Sequence, residues 1–160
     1  MMKGVFIGLG SNLAEPVAQI ESAITALNDA DEITVVARSS LYSSPPMGPQ
    51  DQPDYINAVV EIDTTLFAHH LLDALQAIEQ QQGRVRERHW GERTIDLDLL
   101  VYGNNILDDE RLQVPHPGIS ARSFVLYPLA EIATDIAIPT MGKIEQLLKD
   151  CPRDGLERME

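Results

Sequence analysis

Two aspartates, Asp96 and Asp98, stand one residue apart inside an otherwise apolar run, Ile95-Asp96-Leu97-Asp98-Leu99-Leu100-Val101-Tyr102. The alternation has a period of two, which predicts a β-strand over 95–102. Residues i and i+2 of a strand project from the same face, roughly 6.5–7 Å apart, so the two carboxylates stand side by side. Ile95, Leu97, Leu99 and Val101 form the alternate, aliphatic set, which is expected to meet the core. Adjacent like charges repel and resist losing water. They want a counter-charge, and a divalent cation is the obvious one. A solvated face of an antiparallel sheet satisfies them equally well, and the D-x-D spacing alone leaves both readings open.

The segment just before the strand tips the balance. Positions 84–93 hold four arginines, Arg84, Arg86, Arg88 and Arg93, against Glu87 and Glu92, a local charge of +2 in a chain whose net charge is -13. The segment lacks helical or strand periodicity and is punctuated by Gly83 and Gly91, so a loop is predicted. Guanidinium forks suit phosphate oxygens. Paired carboxylates beside clustered arginines fit a metal-bound polyphosphate, the cation answering the aspartates and the arginines the remaining phosphate charge. A salt-bridged surface loop is the lesser reading.

A candidate acceptor surface lies upstream. Residues 43–54 carry four prolines and a glycine, which excludes helix and central strand and predicts a long ordered loop, either functional or a stiff connector. Directly after it, Tyr55 and Asn57 fall on one face of a predicted strand over 55–63, with Ile56, Ala58, Val60 and Ile62 on the other. An aromatic ring beside an amide suits a flat, hydrogen-bonding heterocycle; it also suits a plain half-exposed strand face. His69 and His70 have no partners at metal-ligand spacing and read as surface residues.

The positioning elements follow from the same periodicities. Residues 5–9 predict a strand ending in Gly8-Leu9-Gly10-Ser11-Asn12-Leu13. Leucine at position 13 removes the third glycine of a dinucleotide fingerprint, which leaves a tight turn bonded by Ser11 and Asn12. Leu13, Val17, Ile20, Ile24 and Leu27 predict one buried helical stripe, with Pro16 in the first turn and 28–31 as its end. A strand is predicted over 33–42. Thr65 is expected to cap a helix running to Gln82 and stopped by Gly83, with Ala68, Leu71, Leu75 and Ile78 as its stripe. Beyond the aspartates come a turn at 103–105, a short hairpin over 106–114, a stiff corner at 115–118 and a helical segment over 120–133 broken at Pro128. A strand at 136–139, a terminal helix at 142–149 and a polar tail complete the chain. The order is βαββαβ with additions.

At 160 residues, 44% hydrophobic and 23% charged, the chain predicts a single domain over 1–160 with a substantial core. The acidic balance argues against nucleic-acid or anionic-membrane binding. The one cysteine excludes an intrachain disulfide. No apolar stretch is long enough to span a bilayer and the N-terminus has no signal-peptide pattern, so a cytoplasmic monomer is expected.

Taken together, several motifs in order resemble the 6-hydroxymethyl-7,8-dihydropterin pyrophosphokinase family. They are Gly10-Ser11-Asn12-Leu13, the proline loop from Pro45 to Tyr55, Gln81-Gln82-Gly83-Arg84-Val85-Arg86, and Trp90-Gly91 followed by Arg93-Thr94-Ile95-Asp96-Leu97-Asp98. Glu110-Arg111-Leu112, Val114-Pro115-His116 and Arg122-x-Phe124 complete the set. The resemblance implies an α+β fold of ferredoxin-like type, an antiparallel sheet with packed helices in three α/β/α layers. It implies transfer of a pyrophosphoryl group from ATP to the hydroxymethyl oxygen of the pterin, with attack on the β-phosphorus and AMP as the other product.

By motif, Asp96 and Asp98 match ligands of a pair of Mg²⁺ ions, and Arg84 and Arg93 join them as catalytic residues. The pterin is expected between Tyr55 and Phe124, with Asn57 reading its edge and Ser44, Pro45 and Met47 contributing from the proline loop. Gln76, Glu79 and His116 match nucleotide-side positions, as do Arg86, Arg88 and Trp90. Arg111 and Arg122 match positions near phosphate. The chain departs from the family pattern by a segment one residue shorter between Arg86 and Trp90, by His89 in place of an arginine, by Glu92 in place of a proline, and by Pro117 in place of an aromatic. Two rival readings stand beside this one: a Mg-ATP transferase with another acceptor, and a non-catalytic nucleotide-binding homologue.

Overall fold

The structure, a computed structural model, describes residues 1–13, 15–46, 51–82 and 95–159. Ten strands and four helices follow one another among them: β1 (Met2–Ser11), α1 (Pro16–Asp29), β2 (Ile33–Arg38), β3 (Tyr42–Ser44), β4 (Tyr55–Thr64), α2 (Ala68–Gln81), β5 (Asp96–Tyr102), β6 (Leu107–Asp108), β7 (Gln113–Val114), α3 (Ser123–Ile132), β8 (Ala137–Ile138), β9 (Gly142–Lys143), α4 (Ile144–Lys149) and β10 (Glu157–Arg158).

The main sheet has the order β10-β3-β4-β1-β5, with β2 also paired to β4, and every pairing is antiparallel. Its two faces bury two separate cores. Val5, Ile7 and Leu9 of β1, Ile56 to Ile62 of β4 in alternation, Leu97 and Leu99 of β5, and Ile95 just before it pack under α1 and α2. Phe6, Val59, Leu100 and Val101 pack under α3 and α4 on the other face. The βαββαβ order and the central β4-β1 pair make this a ferredoxin-like α+β fold in three layers.

Local chemistry explains where the structure departs from the sequence expectation. The alternation of β5 breaks at a bulge. Phe6 pairs with Val101 but Ile7 with Leu99, which leaves Leu100 as the extra residue. Val101 therefore joins Leu100 under α3, and Tyr102 returns to the α1/α2 face, where its hydroxyl donates to the Leu66 carbonyl. The predicted strand over 33–42 is two strands separated by a kink at residues 39–41. There the Ser39 amide donates to the Val59 carbonyl and the Ser39 Oγ accepts from the Val59 amide.

The cap expected of Thr65 is absent, and α2 begins at Ala68 after an extended Phe67. Thr64 is the bonding residue instead, donating to the Glu32 carbonyl and accepting from the Leu66 amide. Pro128 sits inside α3 without breaking it. Proline costs one bond to the carbonyl four residues earlier, and burial of Val125, Leu126 and Leu129 outweighs it. The stripe of α1 is buried only from Ile20 onward; Leu13 and Val17 stay exposed. The polar tail is not loose, because Glu157 and Arg158 pair with β3 as a sixth strand.

Asn12 makes long-range bonds that its turn position does not predict. Its Nδ2 donates to Gln52 Oε1 at 3.0 Å and to the Pro53 carbonyl at 2.9 Å, clamping the far end of the proline loop over the end of β1. Asn12→Ala is expected to destabilise the fold by about 1–3 kcal/mol, since two hydrogen bonds made by a buried side chain are lost. Urea unfolding measures this, and an unchanged midpoint would contradict the clamp.

Candidate active site

The face of the sheet turned towards α3 carries the candidate chemistry. In register, Asp96 lies opposite Gly10, and Gly10 lies opposite Asn57; one step along, Asp98 lies opposite Gly8, and Gly8 opposite Val59. The central strand thus contributes no side chain between the aspartates and the asparagine. Two strand spacings place Asp96 and Asn57 roughly 10 Å apart, across a floor made by glycine backbone. A Cβ at Gly10 would lie 3.4 Å from Asn57 Oδ1 and 3.7 Å from Tyr55 Cδ1, and one at Gly8 would touch Leu100 at 3.4 Å. Asp96 is half-buried and Asp98 exposed. The glycines were absent from the sequence-based set, because they have no side chain to single out. Their signal was the G-x-G spacing, which matches the D-x-D period on the neighbouring strand.

Asn57 is 4% exposed and its Nδ2 donates to Ser44 Oγ at 2.7 Å. That bond turns the amide oxygen towards Gly10 and the trough. Ser44 pairs in register with Tyr55 at the mouth of the proline loop, and Pro45 packs against the C-terminal turn, where a Cβ at Gly155 would lie 3.0 Å from Pro45 Cγ. Phe124 stands in the first turn of α3 and is partly buried against the core beneath that helix.

His116 and Arg122 approach from the same side. The His116 amide donates to the carbonyl of Leu100, the bulge residue two positions beyond Asp98, and the Gly118 amide donates to His116 Nδ1 at 2.9 Å. Arg122 lies over Gly118; a Cβ there would stand 2.7 Å from its Nε, so any larger residue would have to push the guanidinium aside. Burial first, and then the charge of Arg122, hold the imidazole below its ordinary range. With Nδ1 accepting, the neutral ring presents Nε2–H as a donor.

The unfolded chain takes up this proton at a higher pH than the folded one. The stability that His116 contributes is therefore complete above its unfolded value of about 6.5 and declines as pH falls from there towards the folded value. An NMR titration is expected to place the His116 midpoint below about 6.5. In Arg122→Ala the midpoint should rise only part of the way, because burial is the larger cause. A midpoint at or above the ordinary value would contradict this.

Gln76, Glu79 and Arg111 are not on that face. Gln76 is exposed on α2, which covers the other side of the sheet. Arg111 is exposed and its Nη2 bonds Asp73 of α2 at 2.6 Å, while His69 bonds Asp109 at 2.6 Å, so the β6-β7 hairpin is hooked to α2 by two surface pairs. Glu79 bridges the two sides. It is 7% exposed, and its Oε2 accepts from the amide of Leu97 at 2.8 Å, the residue between the aspartates. Met47, Arg84, Arg86, Arg88, Trp90 and Arg93 lie outside the described residues.

Two carboxylates at this spacing fit Mg²⁺, which is commonly held by one or two carboxylates, with substrate phosphates and water completing the shell. Among the described residues no group of three or more His, Cys, Asp or Glu comes together, so an all-protein cage is not what these residues build.

The fold and the site define a class: ferredoxin-like α+β proteins with a carboxylate pair facing an amide across a glycine-floored trough. The family model for 7,8-dihydro-6-hydroxymethylpterin-pyrophosphokinase matches residues 6–134, and the chain belongs to that family of enzymes. It is 51% identical over 159 residues to the 2-amino-4-hydroxy-6-hydroxymethyldihydropteridine pyrophosphokinase of Pseudomonas aeruginosa, covering 99% of this chain and 98% of the relative. The enzyme of the same name from Haemophilus influenzae is 52% identical over 144 residues, 90% of each chain.

Among solved structures, an HPPK-DHPS in complex with substrates superposes with a TM-score of 0.76 at 11% identity, over 99% of this chain and 47% of that one. A Plasmodium falciparum HPPK-DHPS with SDX-DHP gives 0.67 at 13% identity, over 91% and 43%. The chain thus spans about half the length of these solved chains, and the likeness to them is one of fold. No helix among the described residues is long and apolar enough to cross a membrane.

Proposed function

We propose that the chain transfers pyrophosphate from ATP to the hydroxymethyl group of 6-hydroxymethyl-7,8-dihydropterin in a Mg²⁺-dependent reaction, giving the pterin diphosphate and AMP, as a step of folate biosynthesis. The observation that carries the reading is the row Asp96–Gly10–Asn57 across three neighbouring strands. It sets an amide that can read a heterocycle's edge roughly 10 Å from a carboxylate pair. A bicyclic ring over Gly10, with Tyr55 and Phe124 as its walls, points its exocyclic substituent at the aspartates. The relatives' names support this choice of acceptor.

When bound, Mg²⁺ supplies positive charge against the polyphosphate and the attacking oxygen. Everything else is positioning. Asp96 and Asp98 fix where the phosphates lie, and the Glu79 bond to Leu97 holds the strand between them. His116 Nε2–H and Arg122 approach from the α3 side, and the arginines of 84–93 are the further guanidinium source. The hydroxyl oxygen forms its bond to the β-phosphorus as the bond from that phosphorus to the α-phosphate oxygen breaks, and AMP leaves. The hydroxyl proton passes to the carboxylate of Asp96.

Measuring AMP formation with a panel of acceptors tests the reading. AMP is expected with the dihydropterin and not with sugars or simple alcohols. AMP formed equally well with another acceptor would favour a different transferase, and none with any acceptor would favour a binding homologue.

A further inference from the structure

We propose that Glu131 is a positioning residue for the heterocycle, tying the strand that carries Ser44 to the helix that carries Phe124 and so fixing the two walls of the trough relative to each other. This rests on the reading of the trough as a pterin site.

Glu131 lies on α3, remote in sequence from β3, yet its carboxylate gathers donors from that strand and from the kink just before it. Oε2 accepts from the Ser40 amide at 2.9 Å and from Ser40 Oγ at 3.0 Å, and Oε1 accepts from the Tyr42 hydroxyl at 2.6 Å. Arg158 of β10 closes the group from outside, donating to Ser40 Oγ at 3.0 Å with its Nη2 3.7 Å from Glu131. A strand of three residues paired to a two-residue edge strand has few ladder bonds of its own. Its placement depends on anchors outside the ladder.

The consequence reaches the trough in two steps. Tyr42 pairs in register with Asn57, and two residues on, Ser44 Oγ takes the Asn57 amide hydrogen. Moving β3 along or away from β4 therefore turns the amide whose oxygen faces Gly10. The helix holding Glu131 also presents Phe124 in its first turn. One carboxylate thus sets both the reading amide and the opposite ring. Burial and the Glu131 bond push the Tyr42 hydroxyl up to about 12, so it remains a donor throughout the neutral range. Burial pushes Glu131 up, but the bonds from Tyr42 and Ser40 prevail and hold it below the usual carboxylate range, an acceptor at neutral pH.

The test is to measure binding of 6-hydroxymethylpterin, in the presence of a non-hydrolysable ATP analogue, separately from binding of the analogue alone. The comparison covers the wild-type chain, Glu131→Ala, Glu131→Gln and Tyr42→Phe. In Glu131→Ala, pterin affinity is expected to fall roughly tenfold or more, with analogue affinity unchanged. Glu131→Gln keeps one acceptor oxygen and a donor that the Tyr42 oxygen can take, so it should recover part of the loss. Tyr42→Phe removes a single bond and should show a smaller loss of the same kind, which decides the matter if Glu131→Ala does not fold. Pterin affinity equal to wild type in the folded variants, or an equal loss for both ligands, would overturn the positioning role alone. A wild-type chain that binds the analogue but no pterin would overturn the underlying reading, and the proposal with it.

Discussion

Asp96→Asn and Asp98→Asn are each expected to lower kcat by about 10²–10³-fold while the fold survives. Both carboxylates stand on one face of β5, with glycine opposite each on the neighbouring strand, so no other side chain of that strand can take over their charge. Asparagine keeps the shape and the strand geometry but removes the negative charge by which the proposed site would hold a cation on the polyphosphate. Relief of like-charge repulsion offsets what the fold loses, so the unfolding free energy should move by no more than about 0.5 kcal/mol. Steady-state kinetics at saturating Mg²⁺ and urea unfolding measure the two effects. Near-wild-type turnover in either variant would show that the pair is only a solvated sheet face.

Gly10→Val is expected to cost at least about 100-fold in kcat/KM for the pterin, because the new methyl groups fill the floor proposed for the heterocycle. A Cβ at Gly10 already reaches within 3.4 Å of Asn57 Oδ1 and 3.7 Å of Tyr55 Cδ1. Valine suits an extended strand, so the expected loss is of binding space rather than of structure. ATP-analogue affinity serves as the internal control and should stay near wild type. Equal pterin affinity in the variant would place the heterocycle elsewhere.

The parts of this molecule that rest on periodicity could be read in advance. The aspartate strand, the Tyr55/Asn57 face and the buried stripe of α2 all depend on neighbours two, three or four residues away. What escaped depends on contacts made at long range. At the kink dividing β2 from β3, Ser39 bonds Val59 and Ser40 bonds Glu131, both far along the chain. The tail becomes a strand because β3 offers it an edge. The bulge that moves Val101 to the face of Leu100 is set by pairing with β1 and leaves no mark in a run of aliphatic residues. Thr64 and Thr65 are indistinguishable as caps until the Glu32 carbonyl takes the hydroxyl of one and only the backbone amide of the other.

The site divides in the same way. Asp96, Asp98, Asn57, Ser44 and Tyr55 share a face because β-strand alternation puts them there, and α3 adds Phe124 on that side. Gln76, Glu79 and Arg111 belong to elements on the far side, and only Glu79 reaches the aspartate strand, through a backbone amide that no side-chain pattern announces. The arginine segment, which first suggested phosphate, lies outside the described residues.

The most direct measurement is mass spectrometry of the products formed from ATP and 6-hydroxymethyl-7,8-dihydropterin with and without Mg²⁺. The account predicts a pterin carrying a diphosphate and an equal amount of AMP, only when Mg²⁺ is present. A pterin monophosphate with ADP, or an unchanged pterin, would contradict it.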